Sequence, residues 1–167
     1  MKIYLGDKDG KAVYEELDAL KNLLISGGPG GGKTVYFSRL IKELTSEKAP
    51  DELKFVIYDS KGADYFKFRE SPYLLFPITT DEKIDEFKKQ MEELKKMAKT
   101  RCSSQEDKST VIVFIDEFCM LSYEFKECVE EIIGLASASE ETNIHFFIAS
   151  QRPRNLGVLA ITKSSNK

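Results

Sequence analysis

The sequence predicts an α/β domain built on a mostly parallel sheet with helices on both faces, and three observations predict it. The first is the run Gly27-Gly28-Pro29-Gly30-Gly31-Gly32-Lys33-Thr34, which satisfies G-x-x-x-x-G-K-[ST] between a strand-like and a helix-like segment. The second is the alternation of apolar, β-branched runs with segments of helical spacing along the chain. The third is that polar residues, Asp59, Asp116, Glu117 and Gln151, follow those apolar runs, where an open parallel sheet binds its ligand.

Taken in order, Leu23-Leu24-Ile25 reads as a short buried strand leading into the glycine-rich loop. Val35, Phe37, Leu40, Ile41 and Leu44 then recur at helical spacing, so a helix follows the loop directly. Ala49-Pro50-Asp51 breaks that helix, and Leu53 to Tyr58 predicts a second strand ending at Asp59. Tyr73 to Ile78 reads as a short strand interrupted by Pro77, with Thr80 as N-cap of a long helix. In that helix Ile84, Phe87, Met91, Leu94 and Met97 form the apolar stripe. Residues 81–108 carry eight basic and eight acidic side chains, which predicts a solvated outer face. Thr110 to Ile115 is continuously apolar, as a central parallel strand covered on both sides should be. A helix is predicted from Ser122 to Ala136 and a last buried strand from Asn143 to Ser150, ending at Gln151.

Composition narrows the class. At 167 residues with 41% hydrophobic content, one domain with a single core is expected, residues 1–167, with 155–167 as a tail. A net charge of −3 argues against a protein that coats DNA over its whole surface. Cys102, Cys119 and Cys128 lack C-x-x-C spacing, so neither a disulfide framework nor a zinc site is expected, and a reducing cytoplasm fits. No apolar run approaches membrane-spanning length, and the first residues do not resemble a signal peptide.

The chemistry is concentrated at the loop and strand ends. Glycines let the backbone turn its N–H groups onto phosphate oxygens, and the helix start favours the anion. The expected nucleotide-binding segment is therefore Gly27, Gly28, Pro29, Gly30, Gly31, Gly32, Lys33, Thr34 and the following Val35. Lys33 reaches the β/γ-phosphates, while Thr34 and Asp116 are the expected Mg²⁺ residues of an ATP site. Glu117, beside the metal carboxylate, is the expected general base for water, and Gln151 is placed to sense the γ-phosphate. His145, the sole histidine, lies inside an apolar run and reads as a hydrogen-bonded core residue.

These motifs together resemble the FtsK/SpoIIIE branch of the FtsK–HerA ATPases, a likeness running over nearly the whole chain. Leu5 to Gly10 with Asn22 to Gly27 is similar to the strand and turn that lead into that family's phosphate loop. Ile57 to Gly62 resembles its I-D-P-K-G segment, and Ser71 to Leu75 with Pro77 to Asp81 its P-H-L-L and P-V-V-T-D segments. Phe114 to Phe118 is similar to the Walker B region, and Asn143 to His145 with Ala149 to Pro153 to G-I-H and A-T-Q-R-P.

The resemblance implies a RecA-like P-loop NTPase fold and an ATP- and Mg²⁺-dependent motor that assembles as a homo-oligomeric ring, usually a hexamer. Double-stranded DNA would thread through it, and relatives in type VII secretion and conjugation move protein or deliver DNA with similar domains. By position, Lys33, Glu117 and Gln151 take the catalytic roles and Thr34 and Asp116 the metal.

Three departures matter. Glu140-Glu141-Thr142 stands where an arginine-containing segment is common, within residues 116–141 that hold eight acids against Lys126 alone. Met91-Glu92-Glu93-Leu94-Lys95 replaces M-E-R-R-Y, leaving Arg101, Arg152 and Arg154 as the candidates for an arginine finger. The sequence ends where relatives continue into a further strand and helix, so one sheet edge is expected to be short. Residues 142–167 hold four basic and no acidic residues, so any DNA contact would be sequence-independent. The alternative expectation is a weakly active or inactive nucleotide-binding module that docks on a partner ATPase or a secretion or conjugation machine.

Overall fold

The structure is a computed structural model, and it describes residues 1–103, 109–119, 121 and 125–151. Strands β1 (Lys2–Lys8) and β2 (Lys11–Glu16) form an antiparallel hairpin. Its turn is Asp9-Gly10, both at positive φ (52° and 73°), the geometry a tight hairpin turn requires. The sequence reading anticipated a strand and turn here but not β2, whose six residues are all exposed and lack alternation. A single helical turn, α1 (Leu17–Leu20), leads into β3 (Leu23–Ser26).

Beyond the loop, α2 spans Lys33–Glu47, and β4 spans Leu53–Asp59. The long helix α3 (Ile84–Ser103) is preceded by a 3-10 turn at Asp81–Lys83, so Thr80 caps that turn rather than the α-helix and offers no side-chain bond. Then come β5 (Thr110–Asp116), α4 (Lys126–Ser137), the short α5 (Ser139–Thr142) and β6 (Ile144–Ser150). Of the helix expected from Ser122, residues 122–124 lie outside the described residues. The predicted strand at 73–78 is corrected. Pro77 and the turns around it allow two isolated parallel bridges to β4, Phe55 with Leu74 and Tyr58 with Thr79.

β3, β6, β5 and β4 form one parallel sheet in that order. β3 and β4 are the edge strands of this sheet among the described residues. Alternation explains why β5 is apolar throughout. Val111, Val113 and Ile115 pack on one face with Phe87, Met91 and Leu94 of α3 and Ile132 and Leu135 of α4. Ile112 and Phe114 pack on the other face with Phe37, Leu40, Ile41 and Leu44 of α2 and Ile3 of the hairpin. Phe114 anchors this second layer, its ring centroid 5.2–5.5 Å from those of Phe37, Phe55 and Phe147 in edge-to-face geometry. Asn22 ties the layers at the start of β3. Its side chain donates to Ala136 O (3.0 Å) and accepts from the Phe146 N–H (2.8 Å). The three-layer fold sends the C-terminal ends of all four strands to one side of the sheet.

Candidate nucleotide site

The chain leaves β3 at Ser26 and turns through residues 27–32 into α2. Gly30 and Gly32 sit at φ +72° and +79°, and a Cβ on Gly31 would meet the Gly28 carbonyl oxygen at 3.0 Å. Glycine is therefore required at these positions, for two different steric reasons. Lys33, the first residue of α2, folds its ammonium back onto the loop, donating to Gly27 O (2.7 Å) and Gly28 O (3.1 Å). Thr34 points the other way, and its hydroxyl donates to Asp116 Oδ2 at 3.0 Å across 82 residues of sequence.

Asp116 ends β5 and is only 8% exposed. Burial pushes its carboxyl above the usual range, and the nearby Asp64, Asp59 and Glu117 push the same way, while the Thr34 bond opposes them. Glu117 follows at φ +65°, a left-handed conformation that costs a side chain of this type about 1–3 kcal/mol. The turn breaks the strand alternation and brings Glu117 Oε1 to accept from the Gln151 backbone N–H at 3.3 Å. Sheet order explains that meeting, because β6 lies between the β3 that feeds the loop and the β5 that carries Asp116.

Pro29 to Val35, Ser60, Lys61, Asp116, Glu117 and Gln151 line one cavity of about 260 Å³. Gly27 and Gly28 stand behind it as the acceptors of Lys33. Gln151 enters through its backbone bond while its side chain is exposed. A larger cavity of about 830 Å³ between α3 and α4 lies away from these strand ends, among Lys95, Cys102, Glu131 and Gly134. It brings together none of the loop or strand-end groups, so the smaller cavity is the chemical one.

The donor set suits a hard cation. Thr34 and Asp116 offer only oxygen, and the carboxylates of Asp59 and Asp64 lie close by, as Mg²⁺ demands. The sequence marks Asp59 as a polar strand end and places Asp59, Ser60 and Lys61 in the segment similar to I-D-P-K-G without assigning them to the site, and nothing in it marks Asp64.

Two other sequence expectations find their places. Burial depresses the His145 imidazole's basicity, and both ring nitrogens have partners, Lys21 O (2.5 Å) and Asn143 Oδ1 (3.0 Å), as a core role requires. Arg101 is committed elsewhere. Its guanidinium donates to Thr142 O (2.8 Å), Asn143 O (3.4 Å) and Ser109 Oγ (3.2 Å), at the N-terminal ends of β5 and β6. That engagement takes it off the finger candidates, and Arg152 and Arg154 lie outside the described residues. Among the described residues no helix is long and apolar enough to cross a membrane, and Cys102 and Cys128 are free thiols.

Comparison with known proteins agrees with this geometry. Over 177 residues the chain is 26% identical to the DNA translocase FtsK of Leptospira interrogans, covering 92% of this chain and 19% of that protein. The FtsK of Borreliella burgdorferi is 29% identical over 165 residues, covering 86% and 21%. The chain thus spans about a fifth of the length of these curated relatives. The pCW3 conjugation coupling protein TcpA, solved as a monomer with ATPγS, superposes with TM-score 0.74 at 19% identity, covering 98% of this chain and 52% of TcpA. The FtsK/SpoIIIE family model matches residues 1–99, from the hairpin through the phosphate loop and most of α3. A P-loop ATPase fold, a glycine loop whose shape its own residues enforce, and this match over more than half of the sequence together place the chain in the FtsK/SpoIIIE family.

Proposed function

We propose that this domain binds Mg·ATP and couples its hydrolysis to the movement of double-stranded DNA without reading sequence, as a subunit of a homo-oligomeric ring. A hexamer on the cytoplasmic side, serving chromosome, plasmid or conjugative transfer, is the assembly this reading implies. The single observation that carries it is the Thr34–Asp116 hydrogen bond beside Glu117, which joins the phosphate loop to the strand-end carboxylates in one cavity. Mg²⁺, when bound, offsets the negative charge that builds on the β- and γ-phosphate oxygens. Gly27 to Val35 wrap the phosphates and Lys33 exchanges its carbonyl partners for phosphate oxygens. Glu117 accepts a proton from the attacking water, and Gln151, tied to Glu117 through its backbone, passes the nucleotide state into β6.

The test is steady-state ATP hydrolysis with and without double-stranded DNA at low and moderate salt. Stimulation by DNA that fades as salt rises supports the reading, because phosphate contacts release counterions. Glu117→Gln should retain ATP binding and lose turnover by at least about a hundredfold. Turnover equal to the parent would refute the assignment of the base.

One observation favours a second reading. Arg101 is spent inside its own subunit, and residues 116–141 are strongly acidic, so no described arginine is available to a neighbouring site from this segment. Since such a finger contributes about 10³–10⁵ in rate in other NTPases, a module docked on a partner ATPase would bind ATP with little turnover. Full ATP affinity with no hydrolysis, DNA present or absent, selects this alternative.

A further inference from the structure

The parallel register of β4 and β5 sets Asp59 directly beside Asp116 at the ends of their strands. The chain then turns back on itself. Asp59 Oδ2 accepts from the backbone N–H groups of Asp64 (2.9 Å) and Tyr65 (3.1 Å), which delivers the Asp64 carboxylate to the same point. One carboxylate oxygen each from Asp59, Asp64 and Asp116 lies within 4.8 Å of the other two. Asp59 is 1% exposed, and among the described residues no lysine or arginine pairs with any of the three.

Converging carboxylates alone define no site, but two fully buried groups beside them are left without partners. Tyr65 is 0% exposed, its hydroxyl lies within electrostatic reach of all three carboxylates, and it is buried without a hydrogen-bond partner. The second oxygen of Asp59, Oδ1, is likewise buried without a partner. Acceptor-only carboxylates cannot satisfy one another, and a buried unpaired charge is costly. A hydrated cation supplies both missing things: positive charge for the carboxylates, and water protons for Asp59 Oδ1 and the Tyr65 oxygen. The 4.8 Å spread equals about twice the 2.4 Å oxygen distance of Ca²⁺ and needs a small contraction for Mg²⁺ or Mn²⁺.

We propose that Asp59 and Asp64, together with Asp116, hold a divalent cation before any nucleotide arrives, so that ATP meets a site already loaded with its metal. This deepens the proposed function and rests on its assignment of Thr34 and Asp116 to the metal.

The experiment titrates Mn²⁺ into the nucleotide-free full chain, followed by electron paramagnetic resonance, for the parent, Asp64→Asn and Asp59→Asn. Asparagine keeps an acceptor for the two backbone N–H groups, so the turn after β4 is preserved, and circular dichroism checks the fold. The expected result is saturable Mn²⁺ uptake by the parent and a loss of about tenfold or more in affinity in each folded variant. Terbium offers a second readout. The chain has no tryptophan, so tyrosine-excited Tb³⁺ luminescence should appear on binding and fall sharply in Tyr65→Phe. Absence of Mn²⁺ uptake by the parent, or unchanged affinity in Asp64→Asn, overturns the proposal. Binding of a fluorescent ATP with Mg²⁺, measured on the same samples, separates the two levels. If it persists while Mn²⁺ alone does not bind, only the preloading fails; if it too is absent, the proposed function falls with it.

Discussion

Asp116→Asn is expected to stabilise the metal-free domain while disabling the proposed site, because the side chain is held in place against its own electrostatics. With carboxylate oxygens no more than 4.8 Å apart, two unit charges at an effective dielectric of about 20 repel by about 3.5 kcal/mol. Asp116 has two such partners, Asp59 and Asp64. Asp64 is only partly buried, so solvent screens its charge, and burial already raises the proton affinity of Asp116, so the net relief is several-fold smaller, about 1–2 kcal/mol. Asparagine retains an acceptor for the Thr34 hydroxyl, which limits the compensating loss. For a chain of this length the melting temperature should rise by about 2–8 °C.

The assay is differential scanning calorimetry in chelator at about pH 8, where ordinary carboxylates are ionised. The sign of the pH effect follows from the raised pKa of folded Asp116. Its destabilisation is complete above that folded value and disappears below the ordinary unfolded one, so the parent gains stability on acidification and the difference narrows. Saturating Mg²⁺ should reverse the order, since only the parent keeps the full carboxylate set. A variant that melts at or below the parent temperature in chelator at about pH 8 would refute the reasoning, as would a difference that widens in acid.

Three further outcomes follow from particular contacts. Lys33→Ala should abolish measurable Mg·ATP binding in a calorimetric titration, and a retained affinity would show that the ammonium is not the phosphate ligand. Asn22→Ala strands a buried carbonyl at Ala136 and a buried N–H at Phe146, so it should cost about 2–4 kcal/mol in thermal unfolding. Phe114→Ala empties a fully buried position among three aromatic rings and should cost about 3–5 kcal/mol by urea denaturation.

What the sequence disclosed, and what it withheld, divides along the range of the interactions. The glycine loop, Lys33, Thr34 and the strands at 53–59, 110–116 and 144–150 announce themselves locally, through steric demands or unbroken apolar runs covered on both faces. β2 went unread because its exposed side chains show no alternation, although the Asp9-Gly10 turn was the available signal. The 73–78 segment reads as a strand, but this stretch makes only two isolated bridges, at Leu74 and Thr79, because Pro77 has no N–H for a ladder. Asp64 was invisible for a different reason. Its place beside Asp116 depends on the pairing of two strands more than fifty residues apart and on a turn closed by Asp59, neither of which leaves a local pattern. Asp59 carried the one usable hint, an acid at the end of the strand that neighbours the strand of Asp116.

The ammonium resting on the carbonyls of Gly27 and Gly28 acts as a splint. Such a run of glycines is the most entropically expensive part of the chain to immobilise, yet a cation at its centre stitches its first two residues to the start of α2. On the proposed function, an incoming triphosphate finds the curve already cast and only takes over the lysine's grip. Capture becomes an exchange of one oxygen partner for another, with the entropy of shaping the loop already spent during folding.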